Sequence, residues 1–254
     1  MPEHVEPSQP DVAPEPGGPA SRTRRFDAVL LDFHGTVAQV EDPVTWVLAA
    51  ARACGSDLER IRATSLADRL LTAGRAGGPL PARVPPALAE VWADRDLHPD
   101  AHRAAYTGLA QTVDSGVAGL AEALYERLLV PDGWLPYADT AATLAALRAA
   151  GLPVAVVSNI GFDIRGHFQA WGLADAVDAF VLSYEVGRCK PDPAIFLRAC
   201  GMLGVDPERT LMVGDSAADA GAACVGCATL VLPAAPAGAV NGLRSVLDLA
   251  LPGA

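Results

Sequence analysis

The chain has almost no lysine. Of its 19 basic residues only Lys190 is a lysine, and every other one is an arginine. Using Arg nearly everywhere and Lys once suggests a position that needs a compact ammonium rather than a planar fork. A basic excess is also missing: the formal charge of −11 argues against the basic stripe that a nucleic-acid partner requires. No apolar run approaches the ~20 residues of a membrane span, so the expectation is a soluble protein with no membrane partner. The N-terminus lacks the basic-then-apolar pattern of a secretory signal, which makes the cytoplasm the expected compartment. The five cysteines are odd in number and widely spread, which fits reduced thiols rather than a disulfide framework.

What is present is an alternation. Residues 1–24 carry six prolines among glycines and acids, too little apolar surface to offset ordering entropy, and read as a disordered tail. Beyond them, "FDAVLLD" (26–32), "PVAVVSN" (153–159), "FVLS" (180–183), "TLMVGD" (210–215) and "CATLVLP" (227–233) are short, nearly continuous apolar runs. Strands buried on both faces of a parallel sheet look like this. Between them lie helical patterns. "DTAATLAALRAAG" (139–151) has Asp139 as an N-cap candidate, and "DPAIFLRACGMLG" (192–204) opens with Asp192 and Pro193. The pattern predicts a doubly wound, Rossmann-like α/β core domain over 25–39 and 137–254. Residues 40–136 read as helical throughout with no strand-like run, and are expected to form an inserted cap domain over the site.

In an open parallel sheet, ligands bind at the carboxyl ends of the strands. Three of the runs end there in polar residues: Asp32, then Ser158-Asn159, then Gly214-Asp215, with Lys190 on a neighbouring loop. This set suits phosphoryl transfer. Asp32 offers a carboxylate nucleophile, and Asp32 with Asp215 can hold Mg²⁺. The Ser158 hydroxyl, the amide of Asn159 and the Lys190 ammonium can hold the phosphoryl oxygens.

"LLDFHGTV", "VVSN", "CKPDPAIF" and "MVGDSAADAGAA" together resemble the four motifs of the haloacid dehalogenase superfamily, in order, with the helical insertion where that family places a cap. The resemblance implies a Mg²⁺-dependent phosphatase-type hydrolase acting on a small phosphorylated metabolite through an aspartyl-phosphate. It implies Asp32 as nucleophile, Ser158 and Lys190 as phosphate-binding, Asp215 as a metal ligand, Asp219 as supporting the metal, and the His34 backbone carbonyl as a further ligand. His34 is a departure, because phosphatases of this family usually carry Asp there as general acid and base. Imidazole can do both jobs near neutral pH. Three readings follow: a phosphatase with a histidine acid/base, a hydrolase of altered chemistry, or a weak or inactive relative that binds a phosphorylated ligand or a protein partner. The lysine-free cap excludes the Schiff-base chemistry of phosphonate-cleaving members, and a metal carboxylate at Asp215 argues against a dehalogenase.

Other features carry less. "CVGC" (224–227) has redox or zinc half-site spacing, but Gly226 reads as a turn and the cysteines as buried small residues. His98 and His102 lie four apart without a third ligand and read as a solvated face, with Pro99 at a helix start. The four tryptophans read as packing. The sequence does not indicate an oligomeric state.

Overall fold

A computed structural model describes residues 24–251. The proline-rich segment read as a tail lies outside the described residues except for Arg24. The chain opens with β1 (Ala28–Leu31) and β2 (Ala38–Val40). Five helices follow: α1 (Pro43–Ala53), α2 (Arg60–Ala73), α3 (Ala89–Ala93), α4 (Pro99–Gln111) and α5 (Leu120–Leu128). Next come β3 (Trp134–Pro136), α6 (Thr140–Ala149), β4 (Val154–Ser158), α7 (Arg165–Ala170), β5 (Ala179–Leu182) and α8 (Ser183–Val186). The remainder is α9 (Pro193–Leu203), β6 (Thr210–Gly214), α10 (Ala217–Ala220), β7 (Ala228–Val231) and α11 (Arg244–Ala250).

The continuous apolar runs are explained by burial on two faces. Successive strand side chains point to opposite sides. Val29 and Leu31 therefore join Val154, Val156, Leu211 and Val213 in one apolar cluster, while Leu30 joins Ala155, Val157 and Met212 in another. Helices α6 and α11 cover the first face, α9 the second. All neighbours in the main sheet are parallel, in the order β5-β4-β1-β6-β7. The fold is the expected doubly wound α/β core. The chain winds outward from β1 on one side, then returns to wind outward on the other, so the ends of β4, β1 and β6 meet at the switch point.

Some local expectations are corrected. β7 is an edge strand whose residues alternate between half-buried and exposed, so "CATLVLP" is not buried on both faces. Asp192 does cap α9, accepting from Ala194 N at 2.9 Å, with Pro193 in the first turn. Asp139 makes no such bond to α6. Its carboxylate accepts from Asn241 N (3.0 Å) and Leu243 N (2.8 Å), tying α6 to the C-terminal segment. Of the two cysteines in "CVGC", Cys227 is buried but Cys224 is exposed.

The insertion is not free of strands. β2 and β3 pair antiparallel, with Val40 opposite Trp134 and Ala38 opposite Pro136, and form a two-stranded ribbon where the chain leaves and re-enters the core. Three-residue strands show too few alternations to be legible as period 2. Beyond the ribbon, α1, α2 and α5 pack around Trp46, Val47, Leu66, Leu70, Leu120 and Leu124, a cluster separate from the two of the core. Asp42 starts this bundle by accepting from Val44 N and Thr45 N, both at 3.0 Å.

The helical insertion sits on the core through close contacts. A Cβ on Gly161, in the loop after β4, would lie 2.4 Å from His102 Cβ and 2.6 Å from the Arg95 carbonyl. The Ser183 hydroxyl, at the end of β5, donates to the Asp96 carbonyl. His102 is therefore not on a solvated face. It is buried, its Nδ1 lies 2.8 Å from the Tyr125 hydroxyl, and its ring packs on Tyr106 and Phe162.

This placement makes the docking acid-sensitive. Burial, assisted by the nearby Arg95 charge, holds the His102 pKa down at about 3, against about 6.5 in an unfolded chain. Between those values the unfolded state binds the extra proton. The stability contribution is thus complete above about pH 6.5 and is lost as pH falls toward 3. His102→Gln is expected to remove a slope of about 1.4 kcal/mol per pH unit in that window. Denaturant titrations at pH 7 and pH 5 check this, and an unchanged pH dependence in the variant would refute it.

Candidate active site

Asp32 follows β1 directly, and its backbone N–H continues the ladder by donating to the Val213 carbonyl at 2.9 Å. That bond sets the carboxylate between the ends of β4 and β6. Ser158 closes β4 and Asp215 follows β6. Lys190 enters from the loop before α9 and is buried with Asp32 and Asp219. Its Nζ donates to Asp32 Oδ1 (2.5 Å), Asp219 Oδ1 (2.6 Å) and the Val157 carbonyl (2.9 Å). All three ammonium hydrogens are thereby engaged, and the single lysine serves two carboxylates.

The loops leave no room for side chains at two glycines. A Cβ on Gly35, which has a φ of +81°, would lie 2.1 Å from Asp215 Oδ2. A Cβ on Gly214 would lie 2.1 Å from Asp219 Cγ. Asp219 also closes a capping box: its Oδ2 accepts from Ser216 N (3.0 Å) and Ser216 Oγ (2.7 Å) at the start of α10.

Asn159 holds the loop of the lysine. Its side-chain amide is committed to the backbone of Lys190, with Nδ2 donating to the carbonyl (2.9 Å) and Oδ1 accepting from the N–H (2.7 Å). It positions the lysine, and the second Nδ2 hydrogen and the backbone N–H remain for the expected phosphate contact. The Ser158 side chain is buried at the rim, 2% exposed.

His34 is half-buried, and its Nε2 lies 2.6 Å from Gln39 Oε1. Gln39 Oε1 also accepts from Val40 N at 2.9 Å, which identifies that atom as the oxygen. The imidazole therefore donates from Nε2, and in the neutral ring Nδ1 carries the lone pair. Burial lowers the His34 pKa, opposed by the Asp32 charge, which favours the neutral ring.

The carboxylates are under the opposite pressure. Burial raises Asp32 to about 6, with the Lys190 charge opposing and the Asp219 charge reinforcing. Burial, then Asp219, raises Asp215. Lys190 is pulled down by burial, but Asp32 and Asp219 outweigh this and raise it, so it stays an ammonium. Asp32, Asp215 and Asp219 each offer an oxygen within 4.8 Å of the others. Three carboxylates around one ammonium leave an excess of negative charge on oxygen donors, and that is the environment a hard divalent cation takes.

Several residues that build this site had no legible signal. Asn241, far along the chain, donates Nδ2 to the carbonyls of Gly35 (3.0 Å) and Thr36 (3.2 Å), holding the loop that follows the nucleophile candidate. Gln39 likewise carries no sequence signal, because its role depends on a turn that brings it back onto His34. Beneath that loop Phe33 packs on Trp134, with ring centroids 4.8 Å apart, and stacks on Trp171 at 6.2 Å. These two tryptophans pack, as their sequence context suggested.

A family model described as haloacid dehalogenase-like hydrolase matches residues 26–223. The chain belongs to that hydrolase family. It is 38% identical over 88 residues to (S)-2-haloacid dehalogenase 1 of Pseudomonas sp. (strain CBS-3), a segment covering 34% of this chain and 39% of that protein. It is 40% identical over 86 residues to N-acetylmuramic acid 6-phosphate phosphatase of Pseudomonas aeruginosa, covering 33% and 38%. These matches span about two fifths of each relative's length. The fold is shared with a HAD phosphatase from Thermococcus onnurineus, with a TM-score of 0.54 at 24% identity over 88% of this chain and 97% of that one. No helix among the described residues is long and apolar enough to cross a membrane.

Proposed function

We propose that the protein is a Mg²⁺-dependent phosphatase-type hydrolase that cleaves a small phosphorylated metabolite through an aspartyl-phosphate. The observation that carries this reading is the joining of Asp32 and Asp219 to one buried ammonium, with Asp215 beside them. Asp32 and Asp215, with the His34 backbone carbonyl, would hold the cation and Asp219 would support it. When bound, the cation would supply positive charge that offsets repulsion between carboxylate and phosphate.

The chain's own groups perform the remaining work. An Asp32 oxygen attacks phosphorus while the ester oxygen leaves, and water then attacks the phosphorus, releasing inorganic phosphate and restoring the carboxylate. Ser158 and Lys190 would hold the phosphoryl oxygens, Lys190 by turning one of its engaged hydrogens from a carboxylate to the phosphoryl group. His34, neutral with its lone pair on Nδ1, is suited to accept the water proton in the second step. Once protonated, it can deliver a proton to a departing alkoxide in the next cycle.

Dehalogenases occur among the relatives, and the metal separates the two chemistries. Purified protein is expected to hydrolyse members of a phosphomonoester panel with Mg²⁺, to lose that activity in EDTA, and to leave 2-haloacids untouched. EDTA-resistant halide release would establish the dehalogenase instead. Tight binding of phosphorylated compounds without turnover would establish the weak or inactive relative.

A further inference from the structure

Two buried cysteines from distant segments meet between α9 and the sheet, and their pairing is not the one that the C-x-x-C spacing suggests. Cys224 is exposed while Cys227 is buried. The turn Gly221–Val225 ends at Gly226, whose φ of +98° redirects the chain toward β7 and carries Cys227 inward. Cys227 meets Cys200 of α9 instead. Both are buried in the apolar cluster that α9 makes with the sheet.

The sheet register accounts for the meeting. β6 and β7 run parallel with Leu211 opposite Ala228, and continuing that register sets Thr210 beside Cys227. Residues paired in this way point to the same face. On that face the Cys200 Sγ lies 3.8 Å from Thr210 Oγ1. The two thiols are hydrogen-bonded to each other, with Cys227 as donor, which pulls the Cys200 thiol down to about 7 and pushes Cys227 up. A thiol near 7 is partly thiolate at neutral pH, and the thiolate is the form that attacks.

The pair also joins the two segments that furnish the site. Lys190 precedes α9, which carries Cys200, while Asp215 and Asp219 lead into the turn that ends before Cys227. These segments touch near the site, where a Cβ on Gly221 would lie 2.5 Å from Pro191 Cβ. Cys200 and Cys227 bring them together again farther along.

We propose that Cys200 and Cys227 are a modification site, which hydrogen peroxide converts reversibly into an internal disulfide that braces α9 against β7. One thiolate attacks a peroxide oxygen and becomes a sulfenic acid as hydroxide leaves. The second sulfur then displaces the sulfenic hydroxyl and the S–S bond forms. Two thiols and one hydrogen peroxide thus give one disulfide and two waters. The inference is independent of the phosphatase reading.

The full chain, reduced and freed of reductant, is treated with hydrogen peroxide. Remaining thiols are then alkylated after unfolding, and disulfide-linked peptides are mapped by mass spectrometry. A linked pair containing Cys200 and Cys227 is expected, with Cys224 outside it. The melting temperature should rise by about 5–10 °C, because the cross-link restricts the unfolded chain, and dithiothreitol should reverse both changes. Cys224→Ser is expected to form the same bond, while Cys200→Ala and Cys227→Ala lose the bond and the thermal shift. A Cys224–Cys227 bond in its place, cross-links between chains only, or oxidation confined to Cys224 would each overturn the proposal. So would a Cys200–Cys227 bond that leaves the melting temperature unchanged or lower. If the alanine variants do not fold, peptide mapping of the wild type and of Cys224→Ser decides.

Discussion

Asp32→Asn is expected to reduce turnover of any phosphate ester by at least about 10⁴-fold, the scale seen when a covalent nucleophile is removed. An amide oxygen cannot form the acyl phosphate, and nothing else at the rim is placed to replace it. The fold should survive the change. In the wild-type protein two buried carboxylates share the Lys190 ammonium, and burial pushes Asp32 up to about 6. Replacing one of them leaves a matched pair between Lys190 and Asp219. The melting temperature of the variant should therefore equal or exceed that of the wild type. A purified variant that kept half the wild-type rate would show that the covalent mechanism is wrong. A collapsed melting temperature would show that the ion cluster is needed chiefly for folding.

The second large effect concerns His34. His34→Ala is expected to slow hydrolysis of alkyl phosphates by roughly 10²–10⁴-fold, the usual range for acid–base catalysis. Alkyl leaving groups are strongly basic and need a proton as they depart. Aryl leaving groups are stable anions and need it much less, so phosphorylation of Asp32 by aryl phosphates should be slowed little. Dephosphorylation has no leaving-group dependence but still needs a base. The variant should therefore release about one equivalent of phenol quickly from an aryl phosphate and then turn over slowly. Stopped-flow traces across a leaving-group series read both steps. A small and uniform loss, with no burst, would remove the His34 side chain from the chemistry. His34→Asp, the residue the family usually carries there, is expected to retain or raise activity.

Much of the core was legible in the sequence because buried parallel strands must be apolar on both faces. β1, β4 and β6 stand out against their polar ends, and those ends carry Asp32, Ser158 and Asp215. Lys190 was legible for a different reason: one ammonium among guanidiniums has to answer a local geometric need, and here it bonds two carboxylates and a carbonyl at once. The remainder depended on packing between distant segments. His102 has the spacing of a solvated helix face, and only the docking of α4 onto Gly161 buries it. The bonds of the Asn159 side chain to the Lys190 backbone appear only once that loop is packed against it. Gln39 and Asn241 act through turns and long-range contacts that neither periodicity nor composition records.

The ribbon of β2 and β3 has a consequence for how such a chain can change. Val40 and Trp134 face each other as cross-strand partners, so the two ends of the inserted segment are already joined in space. Excising that segment and closing the gap with a two-residue hairpin turn would leave the strand register intact. The entropy of bringing the ends together is met by the core side of the ribbon, whatever length of chain lies beyond it, and grows only slowly with that length. A different helical bundle grafted at the same two residues would enter and leave the core at the same places, with Asp32, Ser158, Lys190 and Asp215 untouched. The ribbon makes the inserted segment exchangeable without disturbing the sheet that carries those residues.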